Sequence, residues 1–164
     1  MAIKIFIDQG YEPSGINVVA EEYGLQEQDV ACNVGMYLAN ILEEDPRFDV
    51  HTSSPVDYFI SIQCNVNEDS AINGTEAYVY SNYTPSYDLA EHILAATVTR
   101  VGTRNNGLRL NPTLSMLQYT DKPSVLVKLG YLSNPSDNDK LKNNQWDFAY
   151  AIYNGLLVYF GFTV

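Results

Sequence analysis

Ile3-Lys4-Ile5-Phe6-Ile7-Asp8-Gln9-Gly10-Tyr11 is the stretch whose reading decides the fold. Isoleucine recurs at alternate positions, and the run is cut by Asp, Gly and a polar loop. That is the pattern of a buried strand that turns at its carboxyl end. Two later stretches repeat it. Asp57-Tyr58-Phe59-Ile60-Ser61-Ile62 leads into Gln63-Cys64-Asn65, and Ser124-Val125-Leu126-Val127-Lys128 leads into Leu129-Gly130-Tyr131-Leu132-Ser133-Asn134. In open α/β sheets ligands gather outside the carboxyl ends of parallel strands. If these three strands are parallel neighbours, Tyr11, Gln63 and Lys128 converge on one end of the sheet, and function is decided there.

The segments between them complete the pattern. A helix is predicted from Gln26 to Glu44, with Val30, Val34, Tyr37, Leu38, Ile41 and Leu42 at helical spacing. Residues 47–52 read as an edge strand and 74–80 as a half-buried strand, while 85–101 form a second amphipathic helix. A Gly/Asn-rich loop follows at 102–107, then extended pieces at 108–110 and 116–119, and a turn at 135–137. A last helix, 145–160, is apolar on most sides. The expected fold is a three-layer α/β/α domain over 1–164, its sheet mixed but mostly parallel, with helices on both faces.

Composition narrows the function. A net charge of −11, with nine basic residues scattered through the chain, excludes a nucleic-acid surface, which needs clustered Lys and Arg. No apolar run approaches the length of a membrane span, and no basic segment followed by an apolar one opens the chain. The expectation is therefore no membrane partner, and a cytoplasmic, spore-associated or phage-associated protein or a domain cut from a longer chain. Cys32 and Cys64 have no CxxC or framework spacing, so two buried free thiols are expected.

Taken in order, the fragments resemble the catalytic domain of the zinc-dependent N-acetylmuramoyl-L-alanine amidases, peptidoglycan hydrolases of bacteria, phages and spores. The family's Asp-Pro-Gly-His strand end is similar to Asp8-Gln9-Gly10-Tyr11, and its Gly-x-x-Glu helix opening to Gly24-Leu25-Gln26-Glu27. Its Ser-Ile-His-x-Asn resembles Ser61-Ile62-Gln63-Cys64-Asn65. Its Leu-Val-Glu-x-Gly-Phe-Leu-Ser-Asn resembles Leu126-Val127-Lys128-Leu129-Gly130-Tyr131-Leu132-Ser133-Asn134. Gly74-Thr75-Glu76, Asn106-Gly107-Leu108-Arg109 and Ala151-Ile152-Tyr153-Asn154-Gly155 also fit.

In that family two histidines and a glutamate hold one zinc, and a further glutamate works on the metal-bound water. The resemblance places the ligand positions at Tyr11, Glu27 and Gln63, and the acid/base position at Lys128. Only Glu27 keeps its family identity. Tyrosine must lose a proton of pKa about 10 to coordinate well, a glutamine amide suits harder ions, and an ammonium repels a dication and cannot accept a proton. No catalytic group is intact, and no zinc or other cofactor is expected. The reading is an amidase-like pseudoenzyme that binds a peptidoglycan fragment or protein partner, with Glu27, Lys128 and Asn65 as crevice residues. A Glu27–Lys128 ion pair is expected, with the Tyr11 hydroxyl donating to Glu27. The alternative is a working amidase that cleaves the MurNAc–L-Ala amide with an atypical metal held by Glu27 and Tyr11, with or without Cys64.

Connectivity departs from the family as well. Its usual long loop and helix between the second and third strands are cut here to Ser53-Ser54-Pro55-Val56. Parallel neighbours need a crossover of about a dozen residues, so 47–52 and 57–62 are not expected to keep their usual places within one chain. The edge strand would be rerouted, or a homo-oligomer would form, as a domain-swapped dimer, over apolar surface bared by the deletion. His51 and His92 have no second ligand at helical spacing and read as surface or half-buried residues. Tyr78, Tyr80, Tyr83 and Tyr87 read either as a sugar-stacking platform or as a tyrosine-rich sheet face.

Overall fold

The computed structural model describes residues 1–10, 21–22, 24–53, 55–82, 85–118 and 121–164. In chain order the elements are β1 (Ile3–Asp8), β2 (Glu21–Glu22), β3 (Leu25–Gln26), α1 (Glu27–Glu43), β4 (Phe48–His51), β5 (Tyr58–Asn65) and β6 (Thr75–Val79). There follow α2 (Pro85–Val101), β7 (Asn105–Leu110), α3 (Ser115–Gln118), β8 (Ser124–Tyr131), α4 (Pro135–Asn143) and α5 (Gln145–Tyr159). Six strands form one sheet in the order β4-β1-β5-β8-β6-β7, while β2 and β3 pair as a separate antiparallel ribbon. β1, β5 and β8 are parallel neighbours, as the three apolar runs predict, and among the described strands of the six-stranded sheet the β6–β8 pair alone is antiparallel.

Side chains alternate across the sheet. Ile5, Ile60, Ile62, Val125, Val127 and Leu129 join one core with Val34 and Leu38 of α1, Leu89 and Ile93 of α2, and Phe148 and Ile152 of α5. On the opposite face Leu126, Val56 and Leu117 of α3 are buried outside that core, and Phe6 stacks on Phe59 with ring centroids 5.0 Å apart. The layering is the three-layer α/β/α arrangement, thinner on this second side. Both phenylalanines stay half-buried. No helix among the described residues is long and apolar enough to cross a membrane.

The crossover objection is overturned by stagger. β4 runs beside β1 from Ile3 to Phe6, whereas β5 enters on the other side at Ile5 and continues past Asp8. The Asp57 amide donates to the Lys4 carbonyl at 2.8 Å, and the Asp57 carboxylate accepts from the Lys4 amide at 2.9 Å. The link therefore returns along only about two residues, roughly 7 Å, and crosses two strand spacings of about 4.8 Å each. Six extended residues reach about 20 Å, so both strands pair with β1 within one chain and no swap is needed.

Three shorter segments also differ from expectation. Asn105–Gly107, composed like a loop, opens β7 because it pairs in parallel with β6, with an irregularity in register between Thr75 and Ala77. The 116–119 region is helical at Ser115–Gln118 rather than extended. The 135–137 turn is the start of α4. Asn134 caps that helix by accepting from the Asp137 amide at 3.0 Å, and Pro135 stands in its first turn.

Asp137 ties this end of the sheet together. It is buried, and its Oδ2 accepts from the Gly74 amide at 2.7 Å and from the Tyr131 amide at 2.9 Å. A Cβ on Gly130 would come within 3.1 Å of the same oxygen, so any larger residue there would have to push the Asp137 carboxylate aside by a few tenths of an ångström. Asp137→Ala orphans two buried amides and should cost roughly 2–4 kcal/mol in urea unfolding, with Asp137→Asn milder because one oxygen remains. A loss below about 1 kcal/mol for the alanine variant would remove Asp137 from this role.

Candidate functional site

The three strand ends meet as the spacing predicts. β5 and β8 lie side by side with Gln63 opposite Lys128, and β5 kinks between Gln63 and Asn65. Gly10 takes a φ of 71°, and a Cβ there would stand 2.8 Å from the Ile62 carbonyl oxygen and 3.3 Å from Gln63 Cγ. The chain leaving β1 thus presses onto the end of β5 where only glycine fits. Tyr11, and with it the expected hydroxyl contact to Glu27, lies outside the described residues.

Glu27 is the first residue of α1, and its Oε1 accepts from the Cys64 amide at 2.9 Å. The expected Glu27–Lys128 ion pair is not formed. Glu27 reaches the strand ends from the helix that packs on the main core. Lys128 leaves β8 toward the other face, where its Nζ stands 5.8 Å from the centroid of the Tyr78 ring. That ammonium has no hydrogen-bond acceptor or ion-pair partner among the described residues.

The polar group that organises this face is Glu76, whose role sequence reading missed. Only 1 % exposed, its Oε1 accepts from the Tyr131 hydroxyl at 2.6 Å and Asn106 Nδ2 at 3.3 Å, and lies 3.4 Å from the Arg109 guanidinium. Its Oε2 accepts from the Tyr78 hydroxyl at 2.6 Å and from Asn65 Nδ2 at 3.1 Å. Asn65, predicted in the crevice, thus belongs to this network. Burial pushes the Glu76 carboxyl up, but the hydrogen bonds from Tyr131, Tyr78 and Asn65 outweigh it and hold the group below its ordinary value. Burial and the same carboxylate raise Tyr131 to about 12 and Tyr78 further, so both phenols stay protonated donors. The available signal was a lone acid inside the alternating strand Thr75-Glu76-Ala77-Tyr78-Val79.

The remaining candidates fall elsewhere. Cys64 is buried, and its thiol is pushed well up by burial and by Glu27, which leaves it inert. Cys32 is exposed on α1, not buried as expected. His51 pairs with Asp49 on the edge strand at 2.8 Å, and His92 lies near the Tyr159 ring. The described tyrosines of this group form no single platform: Tyr78 is bound to Glu76, Tyr80 is exposed and Tyr87 packs on the main core, while Tyr83 lies outside the described residues. A cavity of about 250 Å³ opens at the start of β8, between Tyr80, Pro85, Leu117 and Pro123. Its serines are occupied with the chain, Ser86 accepting from the Ser124 amide at 2.9 Å, and it is remote from the strand ends. Among the described residues no group of three His, Cys, Asp or Glu side chains is placed to hold a metal.

The family model described as N-acetylmuramoyl-L-alanine amidase (Amidase_3) matches residues 44–158. The chain belongs to that amidase family. The match takes in Gln63 and Lys128 and begins after Tyr11 and Glu27. The N-acetylmuramoyl-L-alanine amidase LytC of Bacillus subtilis (strain 168) is 34 % identical over 118 residues, which cover 70 % of this chain and 24 % of LytC. The protein YqiI of the same strain is 30 % identical over 177 residues, covering 95 % of this chain and 84 % of YqiI. This amidase-family chain thus spans about a quarter of LytC but most of YqiI. In fold it is similar to the CwlD amidase of Clostridioides difficile, solved in complex with the GerS lipoprotein. The TM-score is 0.86 at 21 % identity, covering 97 % of this chain and 98 % of that one.

The Glu76 network carries a pH signature. A carboxylate whose pKa falls on folding contributes stability that is complete above its unfolded value and lost as pH drops through the folded one. Urea titrations should show the unfolding free energy falling from about pH 4.5 downward, and Glu76→Gln should flatten that slope while lowering stability at neutral pH. Identical slopes in the two proteins would mean that Glu76 is not held ionised by its neighbours.

Proposed function

We propose that this amidase-family chain is a pseudoenzyme, one that binds a cell-wall fragment or a protein partner in the crevice where its relatives cleave the MurNAc–L-Ala amide. The observation that carries this reading is the pair at the ends of β5 and β8, where Gln63 stands in register with Lys128. Histidine and glutamate would serve zinc there. An amide and an ammonium offer one weak neutral oxygen and one repelling charge. The residues present do not fit a zinc ion.

Two further points support the reading. The Glu27 carboxylate is engaged by the Cys64 amide, so the one retained ligand already serves the protein backbone. The family resemblance assigns the general base to the position of Lys128, and a protonated amine has no lone pair to take a proton with. The alternative, an active amidase with an atypical metal, draws support from the names of the relatives. The form of it that recruits Cys64 would need a thiolate there, and burial opposes that ionisation. A protein partner is in keeping with the CwlD structure, in which an amidase of this fold is held by a lipoprotein.

Calorimetric titration of the chelator-treated protein with zinc at neutral pH tests the reading. No stoichiometric heat is expected, and muropeptide should remain uncleaved in the presence of excess zinc. Micromolar binding abolished by Glu27→Ala, with release of the peptide stem, would establish the active alternative.

A further inference from the structure

The charges on the second face stand in a row across three strands. Lys128 on β8 is the register partner of Glu76 on β6, and Tyr78, two residues on, is the register partner of Arg109 on β7. The contacts already described put all four side chains on one side of the sheet. Glu76 is spent on its hydrogen bonds and on Arg109. Two cations against one carboxylate leave this row with an excess of one positive charge, in a chain whose net charge is −11.

Lys128 is the unspent member. It is half-buried, and Tyr78 supplies only a ring face at 5.8 Å. A partly desolvated ammonium without an acceptor is unfavourable, and a bound anion relieves it. The linkage named in the family's description supplies the chemistry of that anion. An N-acetylmuramoyl–L-alanine amide is neutral; once hydrolysed it leaves a carboxylate on the muramoyl side and an amine on the alanine. A metal beside a glutamate is built to attack the amide. An ammonium in the glutamate's place attracts the carboxylate and repels the amine.

We propose that the row Lys128–Tyr78–Arg109 binds a carboxylate of a cell-wall fragment, so that the crevice recognises a charged wall product in place of cleaving the amide. The inference rests on the pseudoenzyme reading and names its ligand class. Lys128 supplies the charge, Tyr78 the surface beneath it, and Glu76 the fixed position of Tyr78 and Arg109. Two sources carry such a group: the acyl carboxylate of N-acetylmuramic acid and the carboxylates of a peptide stem.

Calorimetry at low salt on the intact chain separates the sources. The probes are N-acetylmuramic acid, its neutral methyl amide, N-acetylglucosamine, and a stem tripeptide without sugar. At least one acid should bind, weakening as salt rises, while the methyl amide and N-acetylglucosamine should not. Lys128→Gln should weaken binding roughly tenfold or more, Arg109→Gln less, and Lys128→Arg should retain it, which keeps the test sound should the glutamine variant fold poorly. Binding of the acid alone assigns the sugar carboxylate, and binding of the tripeptide alone assigns the stem. Equal binding of the acid and its methyl amide, unchanged affinity in a folded Lys128→Gln, or no binding by either acid would overturn the proposal. Zinc uptake and muropeptide cleavage, measured on the same samples, report on the pseudoenzyme reading separately: cleavage sinks that reading, whereas no binding by either acid in a protein that also fails to cleave sinks only the carboxylate site.

Discussion

One oxygen, Asp137 Oδ2, fixes where β8 ends and where β6 begins, because the first residue past Asn73 and the last residue of β8 both donate to it. Its neighbours extend the hold. Ser133 Oγ accepts from the Asn67 amide, Asn134 Nδ2 donates to the Ser70 carbonyl, and Asn138 Nδ2 donates to the Leu132 carbonyl. A polar loop is thereby fastened to the central strand by side chains of one short segment. Buried amides without such partners would each carry a desolvation penalty comparable to a lost hydrogen bond. The direction of the Tyr131 hydroxyl follows from this anchor, and so does the geometry around Glu76.

In the crevice the backbone decides where side chains stand, and the sequence decides what they offer. Backbone pairing brings position 63 beside position 128 whatever the side chains are. With Gln63 and Lys128 in those places the strand ends offer a neutral amide and a cation. Glu76, the register partner of Lys128 on the next strand, is held ionised by its own ring of donors. Fold membership and site chemistry are therefore separate properties here, and each rests on different residues.

Much of the architecture was legible because it is written locally. Three β-branched runs announced β1, β5 and β8, and apolar spacing gave α1 and α2 nearly to the residue. What escaped was held by non-local or purely polar means. α4 has little apolar periodicity and depends on its Asn134 cap. The stagger that permits the short β4–β5 link is a matter of register, which composition does not encode. The direction taken by Lys128 required knowing that β6 runs antiparallel beside β8. The partners of Glu76 come from positions 65, 78, 106, 109 and 131, too widely separated for any window of sequence to assemble.

The strand order has a consequence for how the chain reaches this state. β4, β1 and β5 are complete once residue 65 has been made, and β6 and β7 once residue 110 has been made, yet the two groups share no direct pairing. β8 is the strand that joins them, and it is encoded last. Until it arrives, β5 and β6 each present an open edge of unpaired amides and carbonyls, a template for pairing with another chain. Insertion of β8 is a long-range event that pays its loop entropy before its contacts form. Folding of this domain should accordingly be limited by the closing of its central seam, and during synthesis the interval between residues 65 and 131 is when misassembly is most available to it.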